Sequence, residues 1–188
     1  MTFDWNAVWE RKGKSESSDA YEISGFENFR DFDTAAAAER LVKEMGIEHG
    51  DSLFEIGCGA GLLGRHLKEH CHYVGSDRSP AMVRKAIELN KVSVLRCDAN
   101  DLPFKDKSFD HVLAFCMFHY FPDQAYAQQT IAEMKRIARK SVCISDLPKE
   151  SHDPNHLLFN EAMFAGWTLT GTLYTREHER FSALLKLS

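Results

Sequence analysis

The sequence lacks the features that mark membrane-embedded, secreted or zinc-binding chains. Its longest apolar run, near Val112 to Phe118, is far shorter than the roughly 20 residues that cross a bilayer, and its first residues carry no signal-peptide pattern. The five cysteines show no C-x-x-C spacing and are interpreted as free thiols of a reducing compartment. No H-E-x-x-H pattern occurs, and Pro154 interrupts the pair His152 and His156, so we expect no metal site. These features predict a soluble, cytoplasmic protein without membrane contact.

Positive charge is also in short supply. The chain has 23 Lys and Arg against 28 Asp and Glu, a net charge of −5, and no long basic run. Its densest basic patch, Lys135-Arg136 with Arg139-Lys140, lies near the C-terminus of a predicted helix, where cations interact favourably with the helix dipole. We therefore expect no nucleic-acid partner. The chain has 188 residues, of which 44% are hydrophobic, so it is long enough to bury one hydrophobic core and short for two. Residues 1–188 are therefore predicted to form a single domain.

What the sequence does contain is a short strand followed by a glycine-rich turn, at residues 53–64 (LFEIGCGAGLLG). The apolar run Leu53–Ile56 predicts a buried strand. The turn that follows carries Gly57, Gly59 and Gly61, whose missing side chains let the backbone approach a ligand closely. The helical pattern after the turn offers unpaired N–H groups and a positive dipole end to an anionic group. The stretch therefore predicts a ligand cradle.

Two ligand classes compete for this cradle. Residues 59–64 satisfy the G-x-G-x-x-G pattern of dinucleotide folds. However, Gly57 takes the place at the end of the strand, which gives G-x-G-x-G, and the Glu55 carboxylate would face a pyrophosphate with like charge. A carboxylate suits an ammonium group instead. With this acidic residue and these glycines, the sequence resembles the class I S-adenosylmethionine-dependent methyltransferases.

Two further acidic residues close the next two predicted strands. Tyr73–Ser76 leads into Asp77, 20 residues beyond Gly57, where a carboxylate can accept hydrogen bonds from both hydroxyls of a ribose. Val92–Cys97 leads into Asp98, and the resemblance implies that this carboxylate accepts a hydrogen bond from the adenine amino group. The resemblance thus assigns three carboxylates to S-adenosylmethionine, with Glu55 on its ammonium group.

The fourth predicted strand, Val112–Met117, runs into the sequence FHYFP at residues 118–122. This sequence resembles one subgroup of small members of the family and would lie beside the sulfonium. His119 and Tyr120 are therefore candidates for contact with the methyl acceptor, and a merely structural role is the alternative for the histidine. The other residues predicted to contact the cofactor flank the motifs above: Cys58, Arg78, Met82, Ala99, Cys116 and Phe118.

The strands and the helices between them predict a doubly wound, Rossmann-like α/β fold. We expect a mostly parallel sheet in the spatial order 3-2-1-4-5, with Ser141–Ser145 as the fifth strand. Helix boundaries follow from capping residues, namely Asp33 or Thr34 with Gly46 as the end, Ser79-Pro80, and Asp123 for a helix from Gln124 to about Ala138.

The N-terminal segment 1–33 carries a weaker signal. Aromatic and polar residues alternate there, and Trp5 and Trp9 stand at helical i, i+4 spacing. Two readings are open: a flap that packs on the core, or a lid that closes over a ligand.

The C-terminal part resembles the last helix of the family from Leu173 to Leu185. In the family an antiparallel strand pair follows, and we expect this chain to lack it. Strand 5 would then be an open edge that invites a homodimer or a cover from residues 150–180, for example the alternating Thr168–Thr170 stretch.

The resemblance implies transfer of a methyl group from S-adenosylmethionine, with S-adenosylhomocysteine as product. The acceptor is not encoded in any motif, and the low charge and small size favour a small molecule. Three alternatives stay open: an S-adenosylmethionine-binding regulatory module that does not catalyse, an NAD(P)-dependent oxidoreductase, and a noncatalytic interaction protein.

Overall fold

A computed structural model describes residues 3–151, 153–173 and 179–187, and strands alternate with helices through much of this part of the chain. The strands are β1 (Ser52–Ile56), β2 (His72–Asp77), β3 (Val94–Arg96), β4 (Phe109–Phe115), β5 (Ala138–Pro148), β6 (Thr168–Thr170) and β7 (Arg180–Lys186). The helices are α1 (Trp5–Gly13), α2 (Ala20–Ile23), α3 (Thr34–Met45), α4 (Gly64–Leu67), α5 (Pro80–Asn90) and α6 (Gln124–Ile137). Residues Phe118–Tyr120 and Glu161–Phe164 form short 3-10 helices.

All seven strands join one sheet in the order β3-β2-β1-β4-β5-β7-β6. The first five in this order run parallel, with Glu55 of β1 opposite Gly75 of β2 and Leu113 of β4. The predicted order 3-2-1-4-5 and the Rossmann-like class are therefore confirmed. Because the connections from β1 and from β4 lead to opposite sides, the carboxyl ends of these two strands flank a crevice, as in other doubly wound sheets.

The prediction that the C-terminal strand pair is missing is wrong. β7 pairs antiparallel with β5, from Ser141 opposite Lys186 to Pro148 opposite Arg180, and β6 pairs antiparallel with β7 as the outermost strand. Residues 180–185 therefore form a strand where the resemblance predicted a helix, and residues 174–178 of that predicted helix lie outside the described residues. Since the chain covers the edge of β5 itself, the reason given for a homodimer at that edge no longer applies.

Helix boundaries follow the predicted caps. The Asp33 carboxylate accepts hydrogen bonds from the backbone N–H groups of Ala35 and Ala36, and Gly46 ends α3 with a φ of 70°. Ser79 and Asp123 cap α5 and α6 in the same way. In contrast, α4 begins only at Gly64, after a turn, and is shorter than the helical spacing predicted.

The central strands bury both faces, which explains their nearly continuous apolar sequences. On β1, Phe54 belongs to the cluster on the α6 side of the sheet, whereas Leu53 belongs to the cluster on the α3 side. The neighbouring residues Val112 and Leu113 of β4 alternate in the same way. The two clusters cover the two faces of the sheet.

No helix among the described residues is long and apolar enough to span a bilayer.

A buried ion pair joins the last two long strands. Arg180 of β7 donates from Nη1 to Oδ2 of Asp146 on β5 at 2.8 Å, and the two side chains are 1% and 0% exposed. Asp146 has a φ of 68°, and the register of β5 against β7 shifts between Ile144 and Leu147. The irregularity thus coincides with the place where a carboxylate turns into the interior toward the guanidinium.

Candidate active site

An open crevice lies at the carboxyl ends of β1, β2, β3 and β4. It contains about 1240 Å³ of empty space, including the part that is open to solvent. Most of the residues predicted as site residues line it, namely Glu55, Gly57, Cys58, Gly59, Asp77, Arg78, Met82, Ala99, Cys116 and Tyr120. The others, Gly61, Asp98, Phe118 and His119, do not.

The glycines of the first turn have different roles. Gly57 has a φ of 66°, and a Cβ there would lie 2.8 Å from Cε of Met117. Gly59 has a φ of 54°, and a Cβ there would project into space with no described atom within 4 Å. Gly61 instead faces the interior, where a Cβ would lie 2.8 Å from Cγ2 of Val92. Gly59 therefore keeps backbone accessible from the crevice, whereas Gly57 and Gly61 permit close packing, against Met117 and Val92 respectively.

Glu55 is a buried carboxyl group beneath this turn. It is 2% exposed, and the hydroxyl of Tyr73 donates a hydrogen bond to its Oε2 at 2.6 Å. Burial raises the pKa of Glu55 to about 7, and the nearby Asp77 adds to the rise while the Tyr73 hydrogen bond opposes it. A cation that enters the crevice would therefore stabilise the ionised form of Glu55. The Tyr73 contact was not predicted, because residues 18 positions apart meet only through the β1–β2 pairing.

Asp77 ties the first turn to the end of β2. Its Oδ2 accepts a hydrogen bond from the Gly59 N–H at 3.0 Å, and its Oδ1 accepts one from the Ser79 N–H at 2.9 Å. Burial raises its pKa to about 6, although the backbone hydrogen bonds act in the opposite direction. Each carboxylate oxygen has a second lone pair for a ligand that enters the crevice.

The third predicted carboxylate, Asp98, lies outside the crevice lining. Its side chain is 50% exposed, and its Oδ1 lies 2.7 Å from Nε of Arg78. This ion pair joins the ends of β2 and β3. Its neighbours Cys97 and Ala99 do line the crevice. Contact between Asp98 and an adenine amino group therefore stays a prediction.

The residues after β4 separate into lining and supporting groups. Tyr120 lines the crevice, whereas His119 is 1% exposed and lies behind it, with 4.0 Å between the ring centroids. Phe118, predicted near the cofactor, packs in the core against Phe121 at 4.8 Å. Cys116 lines the crevice with a φ of 52° at the point where β4 ends.

Helix α1 covers the crevice. Its Trp5 and Trp9 rings lie 4.7 and 4.9 Å from the ring of Tyr120, and Nε1 of Trp5 donates to the backbone oxygen of Asn155 at 3.3 Å. Further along the N-terminal segment, Phe26 packs in the core below. The helix therefore bridges the crevice, and opening and closing of this cover stays a prediction.

Glu10 fastens the other end of this helix, and no sequence pattern pointed to it. Its Oε2 accepts hydrogen bonds from the Ser79 hydroxyl at 2.6 Å and from the Ala81 N–H at 3.1 Å, at the start of α5. The Ser79 hydrogen bond lowers the pKa of Glu10 to about 2, with the Ala81 N–H next in effect. Since Ser79 also donates its N–H to Asp77, the cover is linked to the predicted ribose carboxylate through one residue.

A Glu10→Gln variant tests this anchor. The carboxamide cannot accept as a charged group at a helix N-terminus, and we expect a loss of about 1 kcal/mol in the docking of α1. Hydrogen exchange should then be faster for the amides of residues 5–13. Because the folded pKa lies below the ordinary value, the anchor is complete above about pH 4.5 and weakens as pH falls toward about 2. The exposed Glu16→Gln variant is the matched control, and equal protection in both variants would contradict the anchor.

The chain is similar to known methyltransferases. A family profile described as "Methyltransferase domain" matches residues 53–141. The O-methyltransferase resE of Aspergillus sclerotiorum is 29% identical over 132 residues, which are 63% of this chain and 50% of that protein. The demethylmenaquinone methyltransferase of Staphylococcus aureus is 25% identical over 158 residues, which are 78% of this chain and 64% of that protein.

Among solved structures, the chain resembles the magnesium protoporphyrin IX methyltransferase of Synechocystis PCC 6803. The TM-score is 0.69 at 18% identity, over 100% of this chain and 99% of that one, and that protein was crystallised with S-adenosylmethionine. At this identity the likeness concerns the fold. The chain spans 50% and 64% of the lengths of the two curated relatives above.

Proposed function

We propose that this chain, which belongs to the class I S-adenosylmethionine-dependent methyltransferases, transfers a methyl group from S-adenosylmethionine to a small molecule. The observation that carries the proposal is a pair of carboxyl groups, the buried Glu55 and the partly buried Asp77, set on either side of an open glycine turn. Relatives and neighbours named for a quinone precursor and for a porphyrin support a small-molecule acceptor.

The residues present fit the adenosyl group. Glu55 has a pKa raised by burial to about 7, so a cationic ammonium partner would stabilise its ionised form. The space above Gly59 lets a ligand lie directly against the backbone. Asp77 holds its two carboxylate oxygens at the end of β2, where they can accept hydrogen bonds from the hydroxyls of a ribose. Arg78, Ala99 and Met82 border the space beyond it.

When bound, S-adenosylmethionine supplies a sulfonium-activated methyl group, so the protein need not form a covalent bond of its own. The contribution of this chain is to align the acceptor with the methyl carbon and sulfur and to exclude water. Tyr120 forms the crevice wall on that side, Trp5 covers it, and His119 supports the tyrosine ring from behind. A proton that leaves the acceptor as the new bond forms passes to solvent at the open side of the crevice.

Titration calorimetry with S-adenosylhomocysteine and with NADH tests the proposal. We expect saturable binding of the first ligand and none of the second, since a pyrophosphate would lie against Glu55. Tight NADH binding alone would favour the oxidoreductase. Binding of S-adenosylhomocysteine without methylated product from a broad acceptor panel would favour the regulatory module, and binding of neither ligand would favour an interaction protein.

The affinity for S-adenosylhomocysteine should depend on pH through Glu55. Its pKa of about 7 in the free protein means that a proton must leave before the carboxylate can face the ligand ammonium. We therefore expect binding to be about tenfold weaker near pH 6 than near pH 8, and proton release at pH 7 visible as a dependence of the binding enthalpy on the buffer. The Glu55→Gln variant should bind weakly at every pH. An equal pH slope in parent and variant would exclude Glu55 as the source.

A further inference from the structure

The acceptor side of the crevice has a wall made of aromatic rings. The Tyr120 ring lies between Trp5 and Trp9, at centroid distances of 4.7 and 4.9 Å and interplanar angles of 57° and 71°. Deeper in the crevice, Phe26 stacks on Phe115 at 5.9 Å. Rings in contact with each other form a continuous aromatic surface, on which a further aromatic ring can stack or pack edge to face.

The charges around this wall are already engaged. Among the described residues that line the crevice, Asp4, Glu55, Asp77 and Arg78 are the acidic and basic side chains. Asp4 caps α1 by accepting from the Ala7 N–H at 3.2 Å, and Arg78 pairs with Asp98 at 2.7 Å, beside β3. Lys12 lies 5.7 Å from the centroid of the Trp9 ring and is paired with Glu27 at 3.0 Å. Among the described residues, an acceptor that carries a carboxylate or phosphate would therefore have to compete with an existing ion pair for Lys12 or Arg78.

A cationic acceptor is disfavoured for a different reason. Glu55 and Asp77, the two acids at the floor of the crevice, are assigned to the adenosyl ligand. With that ligand in place the acceptor meets a positive sulfonium, and a positively charged group is repelled by it and has no lone pair to offer. An uncharged acceptor meets neither obstacle.

We propose that the acceptor is an uncharged, planar aromatic compound that stacks on the wall formed by Trp5, Trp9 and Tyr120. This inference rests on the proposed function and refines it, because it names the chemical class that the same crevice selects. It makes the N-terminal helix α1 a determinant of specificity, since two of the three rings come from that helix.

The test compares two probes that differ by one charge, a naphthol and the hydroxynaphthoate that carries an added carboxylate. Binding is read from quenching of tryptophan fluorescence in protein saturated with S-adenosylhomocysteine. The background is Trp167→Phe, which leaves Trp5 and Trp9 as reporters, because Trp167 packs on Phe164 at 5.6 Å, away from the crevice lining. We expect the naphthol to bind and the naphthoate to bind about tenfold or more weakly, because its carboxylate loses water without gaining a partner.

Variants of the wall complete the test. Trp5→Ala and Tyr120→Ala should weaken naphthol binding about fivefold to tenfold, and more than they weaken the binding of S-adenosylhomocysteine measured by calorimetry. Trp5→Phe keeps a ring and should lose less, which guards against a simple loss of the helix. Naphthoate binding as tight as naphthol binding, or naphthol binding unaffected by both alanine variants, would overturn the inference while S-adenosylhomocysteine still binds. Failure of that ligand to bind would overturn the proposed function first and the inference with it.

Discussion

An Asp77→Ala variant is expected to bind S-adenosylhomocysteine about 100-fold more weakly than the parent chain. A carboxylate that accepts from two ribose hydroxyls makes two charge-assisted hydrogen bonds, each contributing about 1.5–3 kcal/mol. Loss of both at the lower end of this range, about 3 kcal/mol, corresponds to a weakening on the order of 100-fold. The variant also removes the acceptor of the Gly59 N–H, so the glycine turn loses its connection to β2. Titration calorimetry measures the affinity, and thermal unfolding shows whether the fold persists.

Two companion variants separate these causes. Asp77→Asn keeps a carbonyl oxygen for the Gly59 N–H but loses the charge, so it should fall between the parent and the alanine variant. Asp106→Ala removes a carboxylate that is 76% exposed and pairs with Arg136 instead of lining the crevice, so it should bind like the parent. Affinity within about twofold of the parent in folded Asp77→Ala protein would show that the ribose is held elsewhere.

The second large effect concerns stability, at the buried pair of Arg180 and Asp146. Arg180→Met should lower the free energy of unfolding by about 3–5 kcal/mol, because it removes the guanidinium that donates to the buried Asp146 carboxylate. Denaturant unfolding at neutral pH measures the change. The pair lies where β5 meets β7, so the loss should also expose the amides of β7 to hydrogen exchange.

A double variant distinguishes charge from packing. Asp146→Asn keeps a residue that tolerates the φ of 68° and removes the charge, so Arg180→Met with Asp146→Asn should be more stable than Arg180→Met alone. Lys149→Met is the matched control, since Lys149 makes its ion pairs with Glu161 and Glu179 at the surface, where water screens them, and this variant should change stability much less than Arg180→Met. An Arg180→Met variant as stable as the control would contradict the role of the pair.

The sequence was most informative where local chemistry decides the structure. The helix α3 begins and ends as predicted, because Asp33 satisfies the first N–H groups and Gly46 accepts the left-handed conformation. The glycine turn and Asp77 were found for the same reason, since positive φ values and an acid at a strand end leave a local pattern. Their predicted roles toward the cofactor remain proposals.

Contacts between distant segments left no such pattern. The stretch 180–186 has residues suited to a helix, yet it forms β7 because the edge of β5 offers unpaired backbone groups that a strand can satisfy. Glu10 meets Ser79 across 69 positions, and Arg78 engages Asp98 in a pair that the adenine hypothesis did not foresee. Each of these depends on tertiary packing, which overrides local preference.

The two outer strands of the sheet, β3 and β6, have three residues each. An edge strand of this length presents only a few unpaired N–H and C=O groups to another protein chain, too few to template a growing cross-β stack. The β6–β7 hairpin therefore also protects the protein against aggregation, because the sheet ends in the short edge strand β6 instead of the long strand β5.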